Sequence, residues 1–321
     1  MIAWLTASPA IATAQAVHGW IILDKPLGIG STPCVSAVKR ALREGGYAKV
    51  KVGHGGTLDP LATGVLPIAL GEATKLAGRM LDSDKIYEFT IGFGAETETL
   101  DGEGEITEQS DHRPALAEIE AVLPHFIGPI EQIPPKYSAL KIDGKPAYAR
   151  ARAGEDVEMK LRAVTIYELA ISDPHHPNTV RESDTSLPEI TLTAHVSKGT
   201  YIRSLARDIA RALNTVGHVT MLRRIKAGPF TLEGAISLDK LGELAKEQRL
   251  EQALLPLAAG LDDIPALSVA PDQARQLQMG QRVIGVSATA GLYLATDQSV
   301  PVALVECDGV ELKVVRGFNL Q

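Results

Sequence analysis

One stretch of the sequence places a single carboxylate among glycines, prolines and small apolar residues. Residues 53–67 read GHGGTLDPLATGVLP, with Asp59 as the sole acid. Residues 54–67 are too broken for a long helix or strand and too apolar for a solvent loop, so we expect a buried, structured loop there. A buried carboxylate is costly unless it is paired or hydrogen-bonded. Asp59 is therefore either a chemical group with a partner elsewhere or an Asp that caps a turn before Pro60.

The same residues carry a family resemblance. Residues 53–67 resemble the signature of TruB-type tRNA pseudouridine synthases, and every fixed position of its pattern, Gly-His-x-Gly-x-Leu-Asp-Pro-x-Ala-x-Gly-x-Leu-Pro, is filled. Shorter elements of that family follow in the same order, so the resemblance covers roughly 18–230. They are LDKPLG at 23–28, LDSDKIY at 81–87, IPPKYSALK at 133–141, SKGTYIR at 197–203 and LRR at 222–224. Two departures are the GIGST run at 28–32, which lacks the usual Thr-Ser or Ser-Ser, and an extra loop at 174–188.

The resemblance implies an enzyme that isomerises uridine 55 in the T loop of tRNA. This reaction cuts the glycosidic bond to N1 of uracil, turns the detached base and rejoins it through C5. Asp59 would be the catalytic carboxylate, acting at C1′ or on the base as glycosidase carboxylates act on oxocarbenium-like centres. Arg203 would keep that carboxylate ionised, and Tyr87 would stack on the flipped base and remove the C5 proton. Without the resemblance, Arg203 would be assigned to a solvated helix face and Tyr87 to the core.

Four further residues are assigned to substrate binding by the same resemblance. His54 would insert into the T loop and stack where flipped bases have left. Tyr201 would support the uridine pocket, and Leu222 would form an apolar wall against the uracil. Lys25 would shape the loop beneath the site more than it meets the substrate. From the residues alone, a structural turn for His54 and core packing for Tyr201 and Leu222 stay open.

No metal site and no cofactor are expected. The two cysteines, Cys34 and Cys307, are far apart and in no CxxC arrangement, which also favours a reducing, cytoplasmic setting. The eight histidines are scattered, and the pair at 175–176 fits a surface loop. The sequence has no phosphate-binding glycine loop of the Walker or dinucleotide type. An isomerisation without redox change or group transfer needs none of these.

Hydrophobic patterning indicates the elements that must position these residues. It predicts strands at 20–24, 85–94, 157–172, 189–197, 301–306 and 310–316, and helices at 33–44, 71–82, 114–125, 200–214 and 272–279. We expect an α+β fold, with a mixed, largely antiparallel pseudouridine-synthase catalytic domain over 18–250. Residues 265–321 loosely resemble a small, β-rich PUA-like RNA-binding domain. Residues 1–17 fit a loose N-terminal extension, with a weak targeting segment as the alternative.

Charge is segregated along the chain. The net charge is −7 and the pI about 5.7, which by itself argues against a polyanion partner. Residues 82–111 carry ten acids against Lys85, whereas 198–226 carry seven bases against Asp208. The second stretch either presents a basic face to phosphates or forms a solvated charged surface.

Three hypotheses follow for the function. The leading one is a stand-alone, monomeric tRNA pseudouridine synthase, with tRNA as its partner and neither a guide RNA nor a membrane. The second is a relative that works with guide RNAs on ribosomal RNA, which the missing basic tail and the short C-terminal region disfavour. The third, from another class, is an RNA-binding protein that unfolds and refolds the tRNA elbow. The set of Asp59, Tyr87 and Arg203 argues against refolding as the sole role and leaves it as an additional one.

Overall fold

A computed structural model describes residues 17–138, 140–142, 144–155, 157–172 and 186–320. Two of the expectations above fall largely outside these ranges. They are the N-terminal extension, of which only Val17 is described, and the extra loop at 174–188 with its two histidines. Within the described ranges, no helix is both long enough and apolar enough to cross a membrane.

The described chain forms seven α-helices and eighteen strands, and the strands often follow one another without a helix between them. The helices are α1 Ser31–Glu44, α2 Ala77–Asp82, α3 Leu116–Val122, α4 Ala147–Arg152, α5 Ile202–Ala212, α6 Leu238–Lys246 and α7 Pro271–Gln278. The strands are β1 Gly19–Lys25, β2 Val52–His54, β3 Ala62–Leu70, β4 Lys85–Phe93, β5 Ala95–Thr97, β6 Ile106–Gln109, β7 Gly128–Gln132, β8 Lys141–Ile142, β9 Lys145–Pro146, β10 Arg162–Ile171, β11 Glu189–Val196, β12 Gly217–Ala227, β13 Phe230–Thr231, β14 Ala266–Ser268, β15 Val283–Ile284, β16 Gly291–Asp297, β17 Val300–Cys307 and β18 Glu311–Gly317.

The strands form two main sheets and two small ones. The larger sheet is nine-stranded, in the order β1-β3-β12-β4-β11-β10-β7, with β2 on β3 and β13 on β12. Its pairings are antiparallel except that of β3 with β12. The second main sheet is five-stranded, in the order β14-β16-β17-β18-β15. The predicted α+β fold, with a largely antiparallel sheet and a β-rich C-terminal part, is confirmed. The domain boundaries stay predictions.

The glycine-rich stretch is not a loop throughout. Its second half forms β3, which lies between β1 and β12 and is buried at all but one position. In a strand that is paired on both sides, the backbone N–H and C=O groups all find hydrogen-bond partners. A strand that is buried on both faces has a continuous run of apolar residues, where a half-exposed strand would alternate apolar and polar ones. The prediction of a loop over 54–67 was therefore wrong for residues 62–67. Residues 55–61 have the irregular backbone that was expected.

Helices α1 and α5 pack against the larger sheet. Alternate residues of β4, Phe89 and Ile91, are fully buried and join Val38 of α1 with Leu205 and Ile209 of α5 in one hydrophobic core. Removing each such side chain from water contributes about 1.5–3 kcal/mol. This packing fixes the direction of α5, and therefore the position of the side chains in its first turn.

A second core joins the two main sheets. Trp20 of β1 is fully buried and shares this core with Phe230 of β13, Leu294 of β16 and Phe318. The Trp20 indole N–H donates to the Leu257 carbonyl oxygen at 3.1 Å. This core, which also includes Leu257, Leu261 and Ile264 of the connecting segment, therefore links the five-stranded sheet to the larger sheet.

Gly64 lets β3 and β12 approach each other closely. It lies opposite Arg224 where the two strands pair in parallel. Its φ is +98°, and a Cβ atom placed on it would lie 2.2 Å from the Arg224 carbonyl oxygen. Since β3 leads directly out of the Asp59 loop, this contact fixes where the loop ends.

Gly64→Ala is expected to lower the free energy of unfolding by about 2–5 kcal/mol, because the methyl group meets backbone and the positive φ adds strain. Gly53→Ala is the matched control, since Gly53 lies in the same motif with open space around the new methyl group. Urea denaturation followed by circular dichroism measures both. Equal stability of the two variants would contradict this account of Gly64.

Candidate active site

A cleft of about 320 Å³ opens where the glycine-rich loop, the start of β4, the first turn of α5 and β12 meet. Five of the predicted site residues line it: Asp59, Tyr87, Tyr201, Arg203 and Leu222. The other lining residues are Gly56, Thr57, Leu58, Ala62, Leu81, Lys85, Ser138, Leu140, Val196, Ser197, Gly199, Thr200, Ile202 and Arg224. The structure thus brings together residues that are far apart in the sequence.

Hydrogen bonds from residues 28–31 hold the loop that carries Asp59. The Ser31 hydroxyl at the start of α1 accepts from the Leu58 N–H at 2.8 Å and donates to the Leu58 carbonyl oxygen at 3.1 Å. The Gly28 N–H donates to the Pro60 carbonyl oxygen at 2.9 Å. Because the backbone is fixed on both sides of Asp59, its carboxylate has a defined position in the cleft.

The Asp59 carboxylate forms an ion pair with Arg203, with 2.7 Å between Oδ2 and Nη2. The Asp59 side chain is 39% exposed, whereas that of Arg203 is 6% exposed. The expectation of a buried carboxylate was therefore wrong. The buried partner is the cation, whose two Nη atoms also contact other protein groups, and the carboxylate lies at the cleft surface where a ligand can reach it.

Arg203 holds a second carboxylate on its inner side. Its Nη1 lies 3.2 Å from Asp101 Oδ2 and donates to the Thr99 carbonyl oxygen at 2.8 Å. Its Nη2 donates to the Tyr137 carbonyl oxygen at 3.0 Å. Asp101 is 2% exposed, and its Oδ1 accepts from the Thr99 hydroxyl and from the Glu103 N–H. One guanidinium therefore binds two carboxylates. Asp101 is buried and anchors the guanidinium, whereas Asp59 is partly exposed and accessible to a ligand.

Sequence reasoning missed Asp101. This residue belongs to the acidic stretch 82–111, in which ten acids look alike in the sequence. Thr99 and Gly102 beside it are the residue types of a tight turn, and this is the one local signal that could have separated Asp101 from the other acids.

Lys85 and Ser138 also line the cleft and were not predicted as site residues. The Lys85 ammonium donates to the Leu81 carbonyl oxygen at 2.8 Å. Burial, and then the nearby Arg224, lower the pKa of Lys85 to about 8. The Ser138 hydroxyl is buried without a hydrogen-bond partner among the described residues, so it is available to a ligand.

Tyr87 and Leu222 form one wall of the cleft. In the pairing of β4 with β12, Tyr87 lies opposite Arg224 and Phe89 lies opposite Leu222. Tyr87 and Leu222 are therefore diagonal neighbours on the same face of the sheet, within reach of each other. Tyr201, just before α5, donates its N–H to the Gln132 side-chain oxygen at 3.1 Å. An aromatic ring and an apolar side chain facing one cleft suit a flat, partly polar ligand.

Lys25 lies beneath the cleft. It is fully buried, and its ammonium donates to the carbonyl oxygens of Pro26, Ile29 and Pro60. Burial lowers its pKa. These contacts go to the backbone of the two loops that Lys25 holds together, which fits the expectation that it shapes the loop beneath the site. Its assignment to substrate binding stays a prediction.

His54 ends β2, outside the cleft lining. Its ring is partly buried, and Nδ1 has no hydrogen-bond partner among the described residues. Burial and the positive charge of Arg224 lower the pKa of His54 below its ordinary value. The ring is therefore neutral near pH 7, a form suited to stacking.

The bases of 198–226 do not form a free basic face. Five of them are paired with acids: Lys198 with Asp82, Arg203 with Asp59 and Asp101, Arg207 with Asp208, Arg211 with Glu96, and Arg223 with Asp24. Arg224 is buried and donates to the carbonyl oxygens of Val65 and Gly56. The seventh base, Lys226, is exposed. Because acids from elsewhere in the chain pair with most of these bases, the solvated charged surface is favoured over the phosphate-binding face.

Neither cysteine is in a disulfide: Cys34 and Cys307 are both free and buried. In the part of the chain that the structure describes, no group of three or more His, Cys, Asp or Glu side chains is placed to hold a metal ion.

Comparison with known proteins identifies close relatives. Two family models match the chain: TruB family pseudouridylate synthase (N terminal domain) over residues 39–202, and tRNA pseudouridylate synthase B C-terminal domain over residues 203–262. A tRNA pseudouridine synthase B from Zymomonas mobilis is 61% identical over 98% of this chain and 99% of its own length. One from Novosphingobium aromaticivorans is 61% identical over 95% of this chain and 98% of its own length.

Solved structures share the fold. The chain matches a Cbf5-Nop10-Gar1 complex with a TM-score of 0.68 and 25% identity, covering 94% of this chain and 85% of that chain. It matches an H/ACA ribonucleoprotein bound to a substrate RNA containing 2′-deoxyuridine with a TM-score of 0.67 and 24% identity, over the same shares.

Arg203→Gln is expected to lower the free energy of unfolding by about 3–5 kcal/mol, because it leaves Asp101 buried and unpaired. Asp59→Asn is the matched comparison and is expected to cost less than about 1 kcal/mol, since its side chain is partly exposed. Urea denaturation of the two variants measures the difference. A similar loss of unfolding free energy in both variants would show that Asp59 and Asp101 do not differ in their need for a charged partner.

Proposed function

Since this chain belongs to the TruB family of pseudouridylate synthases, we propose that it converts uridine 55 in the T loop of tRNA to pseudouridine. Relatives named tRNA pseudouridine synthase B match nearly its whole length, which supports tRNA as the substrate. The observation that carries the proposal is the ion pair of Asp59 with Arg203. It stabilises an ionised carboxylate at the surface of a cleft whose volume falls in the range of small-ligand sites.

In this proposal the uridine leaves the tRNA stack and enters the cleft. The bond between N1 and C1′ breaks while Asp59 acts at C1′ or on the base, and Arg203 stabilises the carboxylate beside the reacting sugar. The base turns, C5 bonds to C1′, Tyr87 removes the C5 proton, and N1 gains a proton. Product and substrate are therefore isomers. Leu222 and Tyr201 hold the detached base in the cleft.

The T loop is proposed to meet His54. Its ring stands at the end of β2, two residues before Gly56, which lines the cleft. Since the lowered pKa keeps the ring neutral, it offers a flat, uncharged surface. Such a surface can stack on RNA bases where the flipped nucleotides have left.

We also propose that the protein works without a guide RNA, as a monomer in the cytoplasm. The relatives with tRNA in their names are far more similar in sequence than the proteins of the ribonucleoprotein structures. Two free cysteines fit a reducing compartment. The catalytic domain is proposed to span 18–250, and the β14–β18 sheet is proposed to belong to a PUA-like RNA-binding domain over 265–321. Refolding of the tRNA elbow is proposed as an additional role.

Asp59→Asn is expected to reduce tritium release from a tRNA transcript labelled at C5 of its uridines by at least about 10³-fold, because the variant removes the carboxylate that acts at the sugar. Asp208→Asn is the matched control, since Asp208 is paired with Arg207 outside the cleft. Mapping pseudouridine along the product RNA identifies the position. No release by the wild type would exclude the proposed activity, and release that Asp59→Asn leaves unchanged would exclude the role of Asp59.

Tyr87→Phe is expected to slow tritium release by about 10²–10⁴-fold while tRNA affinity stays the same, because the ring is kept and only the proton acceptor is lost. Tyr167→Phe removes a hydroxyl from an exposed tyrosine on β10 and serves as the control. Single-turnover kinetics and a filter-binding titration separate the two effects. A parallel loss of affinity would indicate that the hydroxyl binds RNA instead of accepting the proton.

A further inference from the structure

A basic groove lies outside the cleft, between the last turns of α1 and the segment that leads into β2. Lys39, Arg43, Lys49 and Lys51 are exposed and line this groove, which has a volume of about 920 Å³. The rest of its lining is apolar or small, with Leu42, Tyr47 and Val50 among the larger side chains. We call it the basic groove.

The four bases of the basic groove are not neutralised by the protein. Across the described residues none of them makes an ion pair, and the groove lining includes no acid. Glu44 is the one acid between residues 39 and 51. Residues 198–226 differ in this respect, because five of the seven bases there form ion pairs with acids.

The clustering of like charges in the basic groove lowers the stability of the fold. Lys39 and Arg43 lie four residues apart on α1, so their side chains are neighbours, and a like-charge pair at this spacing destabilises a helix by about 0.2–0.5 kcal/mol. Clustered, solvated cations with no counter-charge produce a local positive potential on an otherwise acidic protein. A polyanion is the ligand that such a surface fits.

The basic groove is also close to the predicted contact with the T loop. Lys51 immediately precedes β2, and His54 is the last residue of that strand. Three residues of strand span about 10 Å. Lys51 is therefore within about 10 Å of the proposed contact with the T loop, a distance that the flanking RNA backbone can span.

We propose that the basic groove binds backbone phosphates of the substrate tRNA next to the T loop. The inference rests on the proposed function, because His54 and the cleft give the tRNA its position. It assigns the electrostatic contact to residues 39–51 in place of 198–226, and it gives an acidic chain a local surface for a polyanion.

The test is the salt dependence of tRNA binding. Affinity for a fluorescent tRNA transcript is titrated at several salt concentrations in the Asp59→Asn background, so that no turnover occurs. Each lost phosphate contact lowers the slope of log affinity against log salt by about 0.7–0.9. The double variants Lys39→Gln/Arg43→Gln and Lys49→Gln/Lys51→Gln are each expected to lower the slope by about 1.5, and their combination by about 3.

Arg79→Gln/Lys240→Gln is the matched control. It removes the same net charge from cations that are paired with Asp263 and Glu243, and it is expected to leave the slope unchanged. Thermal unfolding checks that each variant is folded. The two groove variants change separate segments, so one remains informative if the other fails to fold.

An unchanged slope in the folded groove variants would overturn the inference, and so would an equal decrease in the control. Tritium release by the wild type is measured on the same tRNA. Its absence would overturn the proposed function and the inference together. Normal turnover with an unchanged slope would overturn only the inference.

Discussion

The guanidinium of Arg203 is the contact on which the geometry of the cleft depends. It extends from the first turn of α5 to Asp101 on one side and to Asp59 on the other, and it also binds two carbonyl oxygens. Because the apolar face of α5 is packed into the core of the larger sheet, the guanidinium has little freedom to move. The buried Asp101 needs this cation, since an unpaired charge in the interior is costly. Asp59 thereby gains a fixed partner and stays accessible.

A related constraint shapes the loop itself. A segment with many glycines and prolines has few regular backbone partners, yet buried carbonyl oxygens need donors. Two buried cations supply them. Lys25 binds the carbonyl oxygen of Pro60, and Arg224 binds those of Gly56 and Val65. Both side chains are almost fully buried, and their hydrogen bonds hold the backbone of the loop in place beside the cleft.

The distribution of charge on the surface depends on ion pairs between distant segments of the chain. A net charge of −7 and a basic stretch at 198–226 suggested opposite conclusions about RNA. Most bases of that stretch neutralise acids that fold against them, such as Glu96 on β5 and Asp24 on β1. Unpaired cations remain at residues 39–51, where the sequence shows only an ordinary helix end and a short loop. Net charge and local runs are thus weak guides to a binding surface when ion pairs join distant segments.

The sequence by itself determined the family and most of the elements, and it is the source of the proposed chemistry. The Gly-His to Leu-Pro signature singled out Asp59 as the candidate catalytic carboxylate. Hydrophobic periodicity predicted β4, β11 and α5, because it is a local signal that follows from the repeat of a strand or a helix. It did not predict β12, whose three bases interrupt the apolar pattern, nor the extension of β3 into the signature.

Only the tertiary structure decided that Asp101 shares Arg203, that Asp59 is partly exposed, that Lys25 is buried and which bases have no acidic partner. Each of these facts depends on residues far apart in the chain that meet after folding, and one segment read alone carries no information about the charge that will lie opposite it.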